Sequence, residues 1–232
     1  MKKHLQAVVI LVSVIASPTF NLARADKVRK VVVGVNVAGV QYLNADQQDT
    51  LIEQLQQNGV KVVRTGIGPE YKRFIIHAYE HGIRSLVGID PAVGSKNVRM
   101  RHYDLSVGLA WDDAEFSTID PNAFGVWISS QVAALESAGV RLKAFELGNE
   151  VNLAGDDGDF PIHATGRVLG LADLNNPKDP EGAILAAGYR VFLKVLAELK
   201  RVRDGSKLNQ TTPIIAAGLA DPGPPLALGS QV

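Results

Sequence analysis

Residues 145–150, Phe-Glu-Leu-Gly-Asn-Glu, form an apolar, strand-like run that ends in two polar residues. The alternation of apolar side chains is typical of a strand that packs against a core. Asn149 and Glu150 come at the point where such a strand should stop. In parallel α/β folds the pocket is built at the carboxyl ends of the strands, so a carboxylate at this position is placed for chemistry.

Strand and helix patterns alternate along the rest of the chain. β-Branched and apolar runs predict five strands, and apolar residues spaced three to four apart predict four helices between them. This alternation indicates parallel βαβ units. The predicted strands cover 31–37, 60–67, 83–89, 142–150 and 213–219, and the predicted helices cover 45–57, 71–80, 121–137 and 181–202.

The connections between these elements differ in length. Three helix-to-strand turns are short and contain Gly59, Gly82 or Gly139, and glycine tolerates the left-handed conformation that ends a helix. The connections at 91–119 and 151–180 follow strands and are long. Long loops at the carboxyl ends of strands predict a binding face there, in a barrel and in an open doubly wound sheet alike.

The first 25 residues have the features of a bacterial signal peptide. Lys2 and Lys3 precede an apolar run at 7–16, and 23–25 is a small-x-small cleavage site. We therefore expect export to the periplasm or the medium, with no membrane association after cleavage. An uncleaved membrane anchor is the alternative. The domain is expected to cover 26–221, and the proline-rich residues 222–232 to form an irregular tail.

Composition excludes several kinds of partner. The 24 basic and 24 acidic residues give a net charge of zero, so nothing predicts binding to nucleic acid or to an anionic membrane. The absence of cysteine excludes disulfides and a lipid-bearing cysteine. No glycine-rich nucleotide-binding turn follows the first predicted strand, and no cofactor is predicted. His77 and His81 lie four residues apart without a third ligand nearby, so no metal is predicted.

Alternation with period two also predicts which side chains face inward. It places Glu146 and Glu150 on the inner face of the fourth predicted strand, and Asn149 on the opposite face. It turns Arg64 of the second strand and Asn36 of the first inward as well. An inward carboxyl between apolar walls has its charged form disfavoured, so it can stay protonated and donate a proton. We expect Arg64 and the two glutamates to meet inside one barrel.

The run at 145–150, with Gly34-Val35-Asn36 and Val63-Arg64, resembles the clan A glycoside hydrolases, which are (β/α)8 retaining glycosidases. The resemblance extends over 31–221 and rests mainly on the Gly-Asn-Glu end of the fourth strand. It implies an α/β fold of the (β/α)8 TIM-barrel type with about five βα units present. It also implies hydrolysis of O-glycosidic bonds in a poly- or oligosaccharide.

The resemblance assigns roles to particular residues. Glu150 would be the general acid/base, Asn149 would hold the sugar 2-hydroxyl, and Arg64 would orient the nucleophile. Glu146 is expected to lie next to Glu150, to orient its carboxyl and to tune its acidity. Two further predicted sugar contacts are Asn36 and Trp111. An aromatic residue in a long loop more often fixes the loop to the body, and this is the alternative for Trp111.

The chain departs from the family pattern in one respect. Retaining hydrolysis needs a second carboxylate about 5 Å from the first. In the family this nucleophile ends the seventh strand, beyond the fifth and last strand predicted here. We therefore expect a truncated barrel that is weakly active or inactive, with exposed sheet edges that favour self-association. Asp90 and Asp221 are carboxylates on the same rim, and structural roles are expected for both: Asp90 starts a turn before Pro91, and Asp221 opens the proline-rich tail.

Two other functions stay open. One is a non-catalytic carbohydrate-binding or interaction domain. The other is a flavodoxin-like domain with an open sheet, which a reversal of strand order would reveal, whereas sequential order fits a barrel.

Asp156, Asp157 and Asp159 lack the spacing of a calcium loop, so a solvated acidic turn is predicted there.

Overall fold

The computed structural model describes residue 32 and residues 34–105, 109–160 and 168–219. The predicted signal peptide, the tail at 222–232 and Asp221 lie outside the described residues, so these expectations stay predictions. The described strands are β1 (Gly34–Asn36), β2 (Val62–Gly66), β3 (Arg84–Ile89), β4 (Met100–Leu105), β5 (Leu109–Ala114), β6 (Ala144–Leu147) and β7 (Ile214–Ala216). The described helices are α1 (Ala45–Gln57), α2 (Pro69–Glu80), α3 (Pro121–Ser137), α4 (Leu171–Leu174) and α5 (Pro180–Asp204).

Five of these strands form one parallel sheet in the order β1-β2-β3-β6-β7, which is their order along the chain. Helices lie in the connections between them. Sequential order is the arrangement of a barrel, whereas an open doubly wound sheet reverses direction at a switch point. The fold is therefore α/β with five parallel strands of the TIM-barrel type, as predicted, and the flavodoxin-like alternative is wrong.

The helices begin where side chains cap their free backbone N–H groups. Asn44 and Gln47 form a reciprocal capping box at the start of α1. Asp120 accepts from two backbone N–H groups of α3, and Asp179 does the same for α5, each before a proline at the first helical position. The predicted helices at 45–57 and 121–137 are confirmed at both ends.

The core lies on the helix-covered face of the sheet. In β3 alternate residues are buried, and Val87 and Ile89 pack in the same cluster as Phe145 of β6. That cluster joins the sheet to α3 and α5, and a second one packs β1 and β2 against α1 and α2. The opposite face of β2 and β3 is only partly buried. Polar side chains on that face can therefore reach solvent.

Two predictions about strands are wrong. The strand predicted at 142–150 ends at Leu147, because Gly148 has a φ of 76° and turns the chain out of the sheet. The segment at 91–119, predicted as loop, contains the antiparallel hairpin β4–β5. Its polar residues, such as His102 and Asp112, gave no apolar alternation by which it could be found.

None of the helices in the described ranges is long and apolar enough to span a membrane.

Candidate active site at the strand ends

A cleft of about 660 Å³ opens at the carboxyl ends of β1, β2, β3 and β6. Three of the predicted site residues lie on its wall: Asn36, Arg64 and Asn149. The hairpin forms another part of the wall through Asp112 and Asp113. The long connections thus build the binding face expected for a parallel α/β fold.

Arg64 holds two residues of the β6 end at once. Its Nε donates to Oε2 of Glu146 at 2.6 Å, and its Nη2 donates to Oδ1 of Asn149 at 3.2 Å. The Glu146 side chain is 12% exposed, so this charge-assisted bond forms largely out of water. The expected meeting of Arg64 with Glu146 is thus observed. The bond offsets the Glu146 charge and fixes the Asn149 amide.

Gly88 lies directly beside this contact. Arg64 lies on β2 and Glu146 on β6, with β3 between them, and Gly88 of β3 is the register partner of Glu146. An added Cβ at Gly88 would lie 3.8 Å from Nη2 of Arg64. A longer side chain would therefore enter the space that the guanidinium crosses. Sequence reasoning missed this residue, although alternation already put a glycine on the inner face of that strand.

The chain direction after β6 differs from the prediction. Asn149, predicted to face the helices, points to the cleft and to Arg64. Glu150, predicted to face inward beside Arg64 and Glu146, is instead exposed and is not among the residues on the cleft wall, so that prediction is wrong. Its φ of 39° makes it the one non-glycine residue with positive φ in the described part of the chain. Such a conformation costs about 1–3 kcal/mol and occurs preferentially at functional sites.

Asp156 is a cleft residue that sequence reasoning did not select. Its Oδ1 accepts from Nδ2 of Asn149 at 3.3 Å, which extends the chain of contacts from Glu146 through Arg64 and Asn149. Partial burial is the main reason why the pKa of Asp156 is raised to about 6, and the Glu150 carboxylate adds to it. The hydrogen bond from Asn149 acts in the opposite direction. Asp156 can therefore carry a proton close to neutral pH.

Trp111 lies beside the cleft rather than on its wall. Its Nε1 donates to Oδ2 of Asp113 at 2.5 Å, and its ring centroid is 5.1 Å from that of Tyr103. The Tyr103 hydroxyl donates to the carbonyl of Phe160 at 2.5 Å. The Tyr103 bond fixes the hairpin to the loop after β6, and Trp111 packs against the cluster that contains Phe160, as the alternative for Trp111 expects. Its contact with a sugar stays a prediction.

The acidic turn is not solvated as predicted. Asp157 is 0% and Asp159 is 1% exposed. Both oxygens of Asp159 accept from Ser117, one from its backbone N–H and one from its hydroxyl, each at 2.7 Å. Burial raises the pKa of both carboxyls. The acidic turn is therefore packed below the edge of the cleft. Of its three aspartates, Asp156 lies on the cleft wall.

The other polar candidates have structural partners. Asp90 lies on the cleft wall, and its Oδ1 accepts from the backbone N–H of Ala92 at 2.8 Å, which is the turn role expected for it. His77 contacts Asp49 at 3.1 Å between α2 and α1. Within the described ranges no three histidine, aspartate or glutamate side chains are arranged to hold a metal ion.

The fold and the site together define an α/β protein of the barrel type with a polar cleft at its strand ends. No family model matches the chain, and no curated protein is significantly similar to it. Among solved structures, a similar one is the complex of the virulence factor SghA with its substrate analog salicin, at 12% identity and a TM-score of 0.38. The match covers 73% of this chain and 35% of that chain, so this chain spans about a third of that protein's length.

Proposed function

We propose that this chain forms the acid/base part of a glycoside hydrolase site. One observation carries the proposal: Arg64 holds Glu146 and Asn149 at the end of β6, the fourth strand of a sequential parallel sheet. Glu150 follows directly, in a strained backbone conformation. In the proposed reaction Glu150 protonates the glycosidic oxygen as the bond to the anomeric carbon breaks.

The sugar contacts follow from the cleft wall. The Asn149 amide carries two N–H donors, of which one bonds to Asp156. We propose that the other donates to a sugar hydroxyl, while Arg64 fixes the carbonyl side of the amide. Asn36, at the end of β1, offers a second uncharged polar group. A neutral poly- or oligosaccharide fits this lining, and we propose that it is met in the periplasm or outside the cell.

The proposed reaction also needs a nucleophile. A retaining site needs a carboxylate about 5 Å from the acid/base. We propose that this group belongs to polypeptide outside the five described parallel strands. The isolated chain would then bind sugar and hydrolyse it weakly or not at all. Sugar binding is accordingly the first property to measure.

Calorimetric titration with neutral oligosaccharides tests the binding part. We expect the wild type to bind, and N149A to bind about tenfold more weakly, because losing one hydrogen bond to a sugar costs about 1.4 kcal/mol. Asn122 is an exposed residue of α3, so N122A is the matched control and should bind like the wild type. Equal binding by N149A, or no binding by the wild type, would contradict the proposed site.

Release of nitrophenol from aryl glycosides tests the catalytic part. Where the wild type shows turnover, E150Q should lower kcat/KM by about 10²- to 10⁴-fold, the usual contribution of a general acid. E53Q changes an exposed glutamate of α1 and should leave the rate unchanged. Binding without turnover is the outcome expected of a site that lacks its nucleophile. Full activity of E150Q would refute the role of Glu150.

A further inference from the structure

Tyr71, in the first turn of α2, fills a place on the inner face of the sheet where β2 has no side chain. Alternation along β2 puts Arg64 and Gly66 on the same face, and both lie on the cleft wall. An added Cβ at Gly66 would overlap the end of the Tyr71 ring that carries the hydroxyl. The phenol of Tyr71 therefore occupies the side-chain position that follows Arg64 along the inner face of β2.

The Tyr71 hydroxyl is free to bind a ligand. Tyr71 lies on the cleft wall, and within the described part of the chain its hydroxyl reaches solvent and has no hydrogen-bond partner. Burial raises the pKa of this hydroxyl, and Glu70 and Tyr42 add to the effect. It therefore keeps its proton at neutral pH and can both donate and accept. The ring packs against both main core clusters, which holds the hydroxyl in place.

Tyr42 exposes a second aromatic ring at the same end of the cleft. It ends a short 3-10 turn, Val40–Tyr42, whose first residue is fully buried, whereas Tyr42 is 79% exposed. An added Cβ at Gly39, which is on the cleft wall, would lie 3.8 Å from Cδ2 of Tyr42. The Tyr42 ring thus stands at the edge of the cleft with its apolar surface uncovered, and the face of a sugar ring can cover such a surface.

We propose that Tyr71 and Tyr42 form a sugar subsite separate from the one at Asn149, in which the Tyr71 hydroxyl bonds a sugar hydroxyl and the Tyr42 ring stacks on the sugar ring. This inference rests on the proposed glycosidase function. The strand β3 lies between β2 and β6, so the ends of β2 and β6 are two strand spacings, about 10 Å, apart. This distance exceeds the width of one sugar ring. The cleft therefore binds at least two linked sugar units, and its substrate is an oligosaccharide or a longer chain.

Calorimetric titration of the full chain with cellotetraose and with xylotetraose tests the subsite. Y71F removes the hydroxyl but keeps the packed ring, so it should bind the tetrasaccharide about tenfold more weakly than the wild type. Tyr79 is another partly buried tyrosine of α2 and is not on the cleft wall, so Y79F is the matched control and should bind like the wild type. Equal binding by Y71F and Y79F would show that Tyr71 only packs the core.

The exposed ring is tested in the same titration. Y42A should lower the affinity for the tetrasaccharide about three- to tenfold, because the stacking surface is lost from a position that does not support the core. Leu193 is 61% exposed on α5, so L193A is the control and should bind like the wild type. Unchanged binding by Y42A would refute the stacking contact.

Comparison with N149A separates this inference from the proposed function. Loss of affinity in N149A but in neither Y71F nor Y42A would refute the subsite and leave the proposed function standing. Loss in Y71F and Y42A but not in N149A would uphold the subsite and contradict the site proposed at Asn149. A wild type that binds neither tetrasaccharide would contradict both.

Discussion

Arg64 joins the two halves of the candidate site through one side chain. Its guanidinium lies between β2 and the end of β6, and it bonds residues 82 and 85 positions away in the sequence. Glu146 would be left as a largely buried carboxylate without this contact. An unpaired charge in such surroundings destabilises the folded state. The Arg64–Glu146 pair therefore links the stability of the fold to the shape of the cleft.

We expect R64M to lower the free energy of unfolding by about 1–3 kcal/mol, because Glu146 loses its partner while Arg64 itself is partly solvated. R64M/E146Q should be destabilised by less than the sum of the single changes. K200M removes a bond between two exposed side chains and should change stability by less than about 0.5 kcal/mol. Urea unfolding measures the stability of R64M, E146Q, R64M/E146Q and K200M. Additive effects of R64M and E146Q would contradict the coupling between the two side chains.

The long helix α5 fixes the loop that carries Asp156. Gly188 of α5 lies against the Asp159 carboxylate, which is held in turn by Ser117. An added Cβ at Gly188 would overlap Oδ2 of Asp159. The absence of a side chain on the helix therefore lets the acidic turn pack closely and supports the cleft rim.

G188A should destabilise the protein by about 1–3 kcal/mol, because Asp159 is buried and cannot move away. G125A in α3 is the matched control. Its Cβ would meet the end of the flexible Glu198 side chain, which can shift, and alanine favours a helix by up to about 1 kcal/mol. Thermal unfolding measures the stability of G188A and of G125A. Equal effects would show that the contact with Asp159 does not constrain α5.

The parallel sheet has two outer strands, β1 and β7. Among the described residues no strand pairs with the outer edges of β1 and β7. Val32, next to β1, is 57% exposed. Unpaired backbone groups on such edges can pair with a second chain, which is why the sequence predicts self-association.

Sedimentation velocity over a range of concentrations measures this self-association. The wild type should associate as concentration rises, and V32K should weaken association because a charge beside β1 opposes strand pairing. Val126 is 74% exposed on α3, so V126K is the control and should behave like the wild type. A wild type that stays monomeric throughout would contradict the prediction.

The sequence alone determined the alternation of strands and helices, the starts of α1 and α3, and the presence of Arg64, Asn36 and Asn149 at the strand ends. Apolar periodicity and helix capping act between residues close in sequence, so they can be recognised locally. The folded chain was needed to learn that Asn149 faces the cleft, that Gly88 lies beside the Arg64 guanidinium and that Asp156 is partly buried. These properties depend on contacts between distant segments, because desolvation and side-chain direction are set by what the folded chain brings together.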